Sequence, residues 1–313
     1  LMVTEYITGR HWQTLGAVQR AHPDLLIVPG REIITYHGHV NTHGETPGLF
    51  EYRHGFEDVA IGEIQRRALE LGALFQVSHP TIFPPPLFSN FCRGCYFELG
   101  DQIDWSQVDT MELVTGPVMV GPGDLGVPVP LPIGIANPFI TTAINLWDRK
   151  LNEGHRITGV SGSDSKGVDH PDDRERVGYG SSATAVYVEE LSRDALFEAI
   201  RAGRAYIRLR GVNNSPELEF TATAGDDTVI FGGSLNSARA RLRTVVSNGV
   251  GQTLRYYANG NLASQEFVDE EIIEDPAIYP DEETLKNLFT VQPYDSRTQR
   301  LLTRSWTRIV TGQ

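Results

Sequence analysis

"DLLIVPGRE", residues Asp24 to Glu32, decides how the chain is read. An apolar run meets a Pro-Gly turn and stops on a carboxylate, which predicts a short buried strand with a metal-ligating residue type at its C-terminal end. The pattern recurs. "LMVTEY" (1–6) turns from apolar to polar, "GALFQVSHP" (72–80) follows a glycine and ends on His79-Pro80, and "HRITGVSGSD" (155–164) ends on Asp164. "DTMELVTG" (109–116), carrying Glu112, is a candidate fifth strand. Between these lie helical spacings. "FEDVAIGEIQRRALELG" (56–72) is closed by Gly72 and "TTAINLWDRKLNEG" (141–154) by Gly154, while "LSRDALFEAIRAGR" (191–204) has Ser192 as N-cap and Gly203 as its stop. Alternating strands and helices predict βα units and a mainly parallel sheet. Polar residues gathered at the strands' C-terminal ends predict a barrel with its site on that face. Strand ends are often polar simply because they reach the surface. That explains one or two cases, and explains poorly why the residues are Glu, His and Asp.

Beyond about residue 211 the period changes to two. "ELEFTATAG", "ARARLRTVVSNG" and "QTLRYYANGNLA" alternate, with Asn-Gly turns. The expected organisation is therefore an α/β barrel over 1–210, followed over 211–313 by a small antiparallel β unit, sandwich-like by its alternation. The acidic run "FVDEEIIEDPAIYPDEE" (267–283) reads as a solvated loop.

The 313 residues carry a formal net charge of −13, with 40% hydrophobic and 21% charged residues, ordinary for a soluble globular protein. The acidic balance argues against nucleic acid as a partner, since a phosphate-tracking groove needs clustered Lys and Arg. No apolar run reaches the ~18 residues that cross a membrane. A small-molecule substrate is the expected partner. Cys92 and Cys95 in "FCRGCYF" have no second Cys pair with which to build a zinc ribbon. They are read as a structural clip, disulfide or reduced. The chain opens directly in an apolar strand, so a removed leader or an upstream segment is expected and compartment is not assigned.

The chemistry concentrates in "PGREIITYHGHVNTHG" (29–44): Glu32, then His37, His39 and His43. Carboxylate with imidazole suits Zn, Mn or Fe. In an extended chain His37 and His39 share a face and Glu32 points to the other, so spacing alone leaves open which histidine joins Glu32. Pro80 denies His79 a helix and stiffens its turn.

"PGREIITYHGHVN", "SHP" and "RITGVSGSDS", followed by "ALFEAIRAGRAYI", resemble in this order the PHP (polymerase and histidinol phosphatase) domain family, in its carbaryl-hydrolase-like branch, over residues 1–210. The resemblance implies a distorted (β/α)7 TIM-like barrel with metal ions at its C-terminal face. It implies metal-activated water for hydrolysis of a phosphoester, carbamate or amide bond. It makes Glu32 a bridging carboxylate, His39 and His79 ligands, and Asp164 a ligand or proton acceptor. One or two divalent ions are expected. The departures matter. The family's leading His-x-His strand would precede Leu1. Its Thr-Asp-His is Thr4, Glu5, Tyr6 here, and its Ser-Asp-x-His is Ser163, Asp164, Ser165, Lys166. Lys166, with Tyr6 beside it, either places a fixed cation where the family holds a metal, there to stabilise an oxyanion, or points to solvent. His170 is a candidate replacement ligand. The alternative to an enzyme is a catalytically degenerate relative that binds a ligand or partner through the old pocket. A third reading places the function in the C-terminal β unit.

Overall fold

The computed structural model describes residues 1–6, 9–44, 51–86, 94–116, 118–120, 135–165, 180, 182–210, 215–250, 253–258 and 261–262. Lys166, His170, Cys92 and the acidic run 267–283 lie outside them. The chain divides into two compact units, Leu1–Gln252 and Thr253–Gln313.

The first unit opens with β1 (Met2–Glu5), α1 (His11–Ala21), β2 (Val28–Thr35), β3 (Gly38–His43), α2 (Ile61–Glu70), β4 (Leu74–Ser78) and β5 (Thr110–Thr115). There follow β6 (Met119–Val120), β7 (Ile135–Ala136), α3 (Pro138–Asn152), β8 (Thr158–Gly162), β9 (Ala183–Val186), α4 (Arg193–Arg201) and β10 (Ala205–Arg208). It ends with β11 (Glu217–Ala224), β12 (Asp227–Ile230) and β13 (Arg241–Ser247). The second unit contains the antiparallel pair β14 (Tyr257–Ala258) and β15 (Asn261–Leu262).

The main sheet has six strands in the order β1-β2-β3-β4-β5-β8. The pairs β1/β2, β4/β5 and β5/β8 are parallel, as the alternation predicts. The pairs β2/β3 and β3/β4 are antiparallel, so the sheet is mixed rather than mainly parallel. The reason is local. Thr35 pairs with Gly38 across a two-residue turn, Tyr36-His37, too short for any crossover. Thr35 Oγ1 donates to the Gly38 carbonyl and accepts from the His37 N–H, closing that turn. Among the described residues the sheet order is open, with β1 and β8 at its two ends.

Helices α2, α3 and α4 form where their spacing predicts. Ile61, Ile64 and Ala68 of α2 are wholly buried, and Gly72 takes the positive φ of 75° that ends the helix. Asn137 caps α3 by accepting the Phe139 N–H, with Pro138 at the first turn. Ser192 caps α4 by accepting the Ala195 N–H. Helix α1 has no buried residue, which is why no apolar stripe announces it. The core joins Ile33, Val40, Phe75, Val77 and Met111 of the sheet to Ile61 and Ile64 of α2 and Ala143 of α3. A smaller cluster joins Val28 and Leu74 to Phe197 and Ile200 of α4. All five residues of β4 are buried, as befits a central strand covered on both faces. The period-two segments form the antiparallel sheet β12-β11-β13. Cys95 is disulfide-bonded.

Candidate metal centre

The β2/β3 hairpin sets Glu32 opposite Asn41 and Ile34 opposite His39, which leaves Glu32 and His39 diagonal neighbours on one face of the ladder. Across β3, His39 lies opposite Ser78, the last residue of β4. His79 follows with φ 28°, a positive value uncommon outside glycine. That bend carries its ring to the hairpin. His39 Nδ1 lies 3.3 Å from His79 Nε2 and 3.3 Å from Glu32 Oε1, and His79 Nε2 lies 3.6 Å from the same oxygen. The two imidazoles and the carboxylate are buried or nearly so, with side chains 8–13% exposed.

This triangle passes a simple test of fit. Ligands at ~2.0–2.1 Å from a tetrahedral ion stand about 3.3–3.4 Å apart. Three donors with edges of 3.3, 3.3 and 3.6 Å are thus spaced as ligands of one ion. Electrostatics point the same way. Burial alone raises the Glu32 carboxyl, but hydrogen bonds from His39 and His79 outweigh it and hold the group well below the usual carboxylate range. Burial lowers His79, while Glu32, Glu112 and Asp164 together raise it. Glu32, held ionised between two imidazoles, supplies the negative charge that a cation would meet there.

Glu32, His39 and His79 therefore come together as the sequence reading expects. Asp164 stands apart from the three-residue cluster. It is exposed, takes a positive φ of 47° two residues past the end of β8, and acts by its charge on both His79 and Glu112. Tyr6 follows β1, is 41% exposed, and is not in the cluster. His37 faces outward, with Nδ1 3.4 Å from Glu98 Oε2. His43 is buried against Gln76, 3.3 Å away. So the structure selects His39 from the three histidines that spacing leaves open. Glu112 is the residue that sequence reasoning placed on a strand but left out of the site. It lies 6% exposed beside His79, and burial pushes its carboxyl up to about 7. A lone carboxylate inside the apolar run "MELV" is the signal that marks it.

The fold and cluster define a mixed α/β protein with a buried His/Glu set able to hold a divalent metal. No helix of the described residues is long and apolar enough to cross a membrane. No family model matches the chain. It is 47% identical over 57 residues to the putrescine-binding periplasmic protein SpuD of Pseudomonas aeruginosa (strain UCBPP-PA14), a stretch covering 18% of this chain and 16% of that protein. It is 38% identical over 58 residues to the putrescine-binding periplasmic protein PotF of Escherichia coli (strain K12), again 18% and 16%. The chain thus spans about a sixth of the length of these curated relatives. Among solved structures it is similar to a two-domain protein of Bacteroides vulgatus ATCC 8482 containing a predicted PHP-like metal-dependent phosphoesterase. That likeness has a TM-score of 0.43 and 16% identity, and covers 78% of this chain and 76% of the other.

Proposed function

We propose that the chain is a metal-dependent hydrolase of the PHP kind, with residues 1–210 as a barrel-like hydrolase part. It acts on a phosphoester, carbamate or amide bond. The observation that carries this reading is the Glu32, His39 and His79 triangle, three donors at one-ion spacing. The ordered motifs "PGREIITYHGHVN", "SHP" and "SGSDS" support it. Two imidazoles and a carboxylate favour Zn, Mn or Fe over calcium or magnesium, which prefer all-oxygen sites. Three protein ligands also leave a coordination position open, the arrangement of catalytic rather than structural sites. A bound ion supplies Lewis acidity and lowers the pKa of a bound water toward neutrality.

The chain's own side chains divide the remaining work. Glu32, His39 and His79 hold the ion. Asp164 is read as the group that accepts a proton from the attacking water. Lys166 and Tyr6 are read as groups that steady charge developing on the substrate oxygen. The stretch shared with the putrescine-binding relatives is too small a part of those proteins to assign a polyamine ligand here.

The test is metal content after dialysis against zinc, followed by hydrolysis of p-nitrophenyl phosphate, a p-nitrophenyl carbamate and a p-nitroanilide. One zinc per chain and turnover of at least one ester or amide are expected. Glu32→Gln should lower both zinc affinity and turnover at least about 100-fold. No retained metal would overturn the reading. Stoichiometric zinc with no turnover of any substrate class would leave a ligand-binding relative in its place.

A further inference from the structure

Glu112 is a buried carboxylate, and burial is the largest influence on it. Such a group is costly unless its oxygens are hydrogen-bonded. Its Oε2 accepts the backbone N–H of His79 at 2.9 Å. Two features of the sheet serve that contact. The register of β5 against β8 shifts between Glu112 and Val114, a bulge of the kind that re-aims a side chain. Across the pair, Gly162 leaves the carboxylate its space, for a Cβ there would lie 2.7 Å from Glu112 Oε1. The N–H so held belongs to the residue with φ 28°, immediately before Pro80. His79 stands one residue past the last rung of the β3/β4 ladder, so its N–H gains no partner from that pairing. A buried amide left without an acceptor would oppose the bend.

We infer that Glu112 is a positioning residue for the metal centre: by accepting the His79 N–H it holds the strained backbone that turns the His79 ring toward Glu32 and His39. This rests on the metal-centre reading above, and it adds a residue that ligates nothing. The hydrogen bond needs an oxygen acceptor of the right reach, not a negative charge, so Gln should replace Glu and Ala should not.

The experiment uses the full chain and three variants: Glu112→Gln, Glu112→Ala and Gly162→Ala. Zinc affinity is measured by calorimetry with a competing chelator. The His79 amide resonance is followed in the zinc-free protein. Glu112→Ala is expected to weaken zinc binding about 10–100-fold and to move the His79 amide signal, while Glu112→Gln stays within about 3-fold and keeps the signal. Gly162→Ala, which crowds the carboxylate without removing it, is expected to weaken zinc binding roughly 10-fold and serves if Glu112→Ala does not fold. The inference is overturned if the alanine variants bind zinc as the parent does, or if Gln is as damaging as Ala, since charge would then be what matters. If the parent protein binds no zinc, the metal reading fails by itself. The amide signal then decides the positioning role: unmoved in Glu112→Ala and Gly162→Ala, it ends the inference.

Discussion

Gly94 takes a φ of 84°, and a Cβ built on it would lie 1.9 Å from the Thr35 carbonyl and 2.7 Å from His39 Nε2. A contact that short cannot stand, so Gly94→Ala must displace its own loop, the hairpin end or the His39 ring. The expected outcome is a loss of roughly 2 kcal/mol in urea denaturation, together with weaker zinc binding by calorimetry. Unchanged zinc affinity would show that this contact does not reach the metal centre. His43 makes a second prediction at this scale. It is 4% exposed, and burial lowers its pKa to about 4, the Gln76 contact opposing the shift. The unfolded imidazole titrates near ~6.5, so the folded state favours the neutral ring. The stabilisation from neutral His43 is complete above ~6.5, falls as pH drops toward about 4, and is lost below that. The full effect is on the order of 3 kcal/mol. Denaturation curves at pH 7 and pH 4.5 should show a steeper loss for the parent than for His43→Gln; equal slopes would remove His43 as the cause.

At the scale of elements, the caps and stops carry the helices and the short turn carries the site. The Ser192 hydroxyl accepts the Ala195 N–H at the start of α4, with Asp194 in the same first turn. Ser192→Ala should cost about 1 kcal/mol of stability, read by thermal or chemical unfolding, with zinc affinity unaffected. Helix α4 buries Phe197, Ala199 and Ile200, so the cost should appear as global destabilisation rather than fraying alone. The β2/β3 hairpin shows how an element overrides a pattern. Alternating strands and helices predict parallel neighbours, yet a two-residue turn closed by Thr35 reverses the chain at once. The same reversal puts Glu32 and His39 side by side, so one local feature both breaks the expected topology and builds the candidate site. "TYHGH" reads by itself as extended chain, with His37 and His39 on one face. Recognising it as a turn requires weighing Gly38, whose φ of 143° lets the strand resume directly.

At the scale of the whole molecule, a ligand that binds only the folded state raises stability by mass action. Zinc at about 100 times its dissociation constant should add ~2.7 kcal/mol, a rise of about 5–10 °C in calorimetric Tm for a domain of this size. EDTA should reverse the rise, and Glu32→Gln should abolish it. A zinc-independent Tm in the parent protein would contradict the proposed centre.

What the sequence by itself determined is local: the presence of most strands, the glycine and serine boundaries of α2, α3 and α4, the antiparallel character of the β segments after 211, and the carboxylate and imidazole side chains at 32, 39 and 79. Each of these follows from periodicity, cap chemistry or the donor chemistry of a side chain, all of which act over a few residues. The end of β2 was not so determined, since Glu32, read as closing a strand after a Pro-Gly turn, lies inside β2 with Pro29 and Gly30. Only the tertiary structure decided which histidine faces Glu32, since strand register and the bend at His79 are settled by pairing across β2, β3 and β4. It also decided that Glu112 stands behind His79, because the His79 N–H donates to the Glu112 carboxylate across 33 residues of chain. Such contacts depend on how neighbouring strands slide and bulge against one another, and no short-range pattern encodes that.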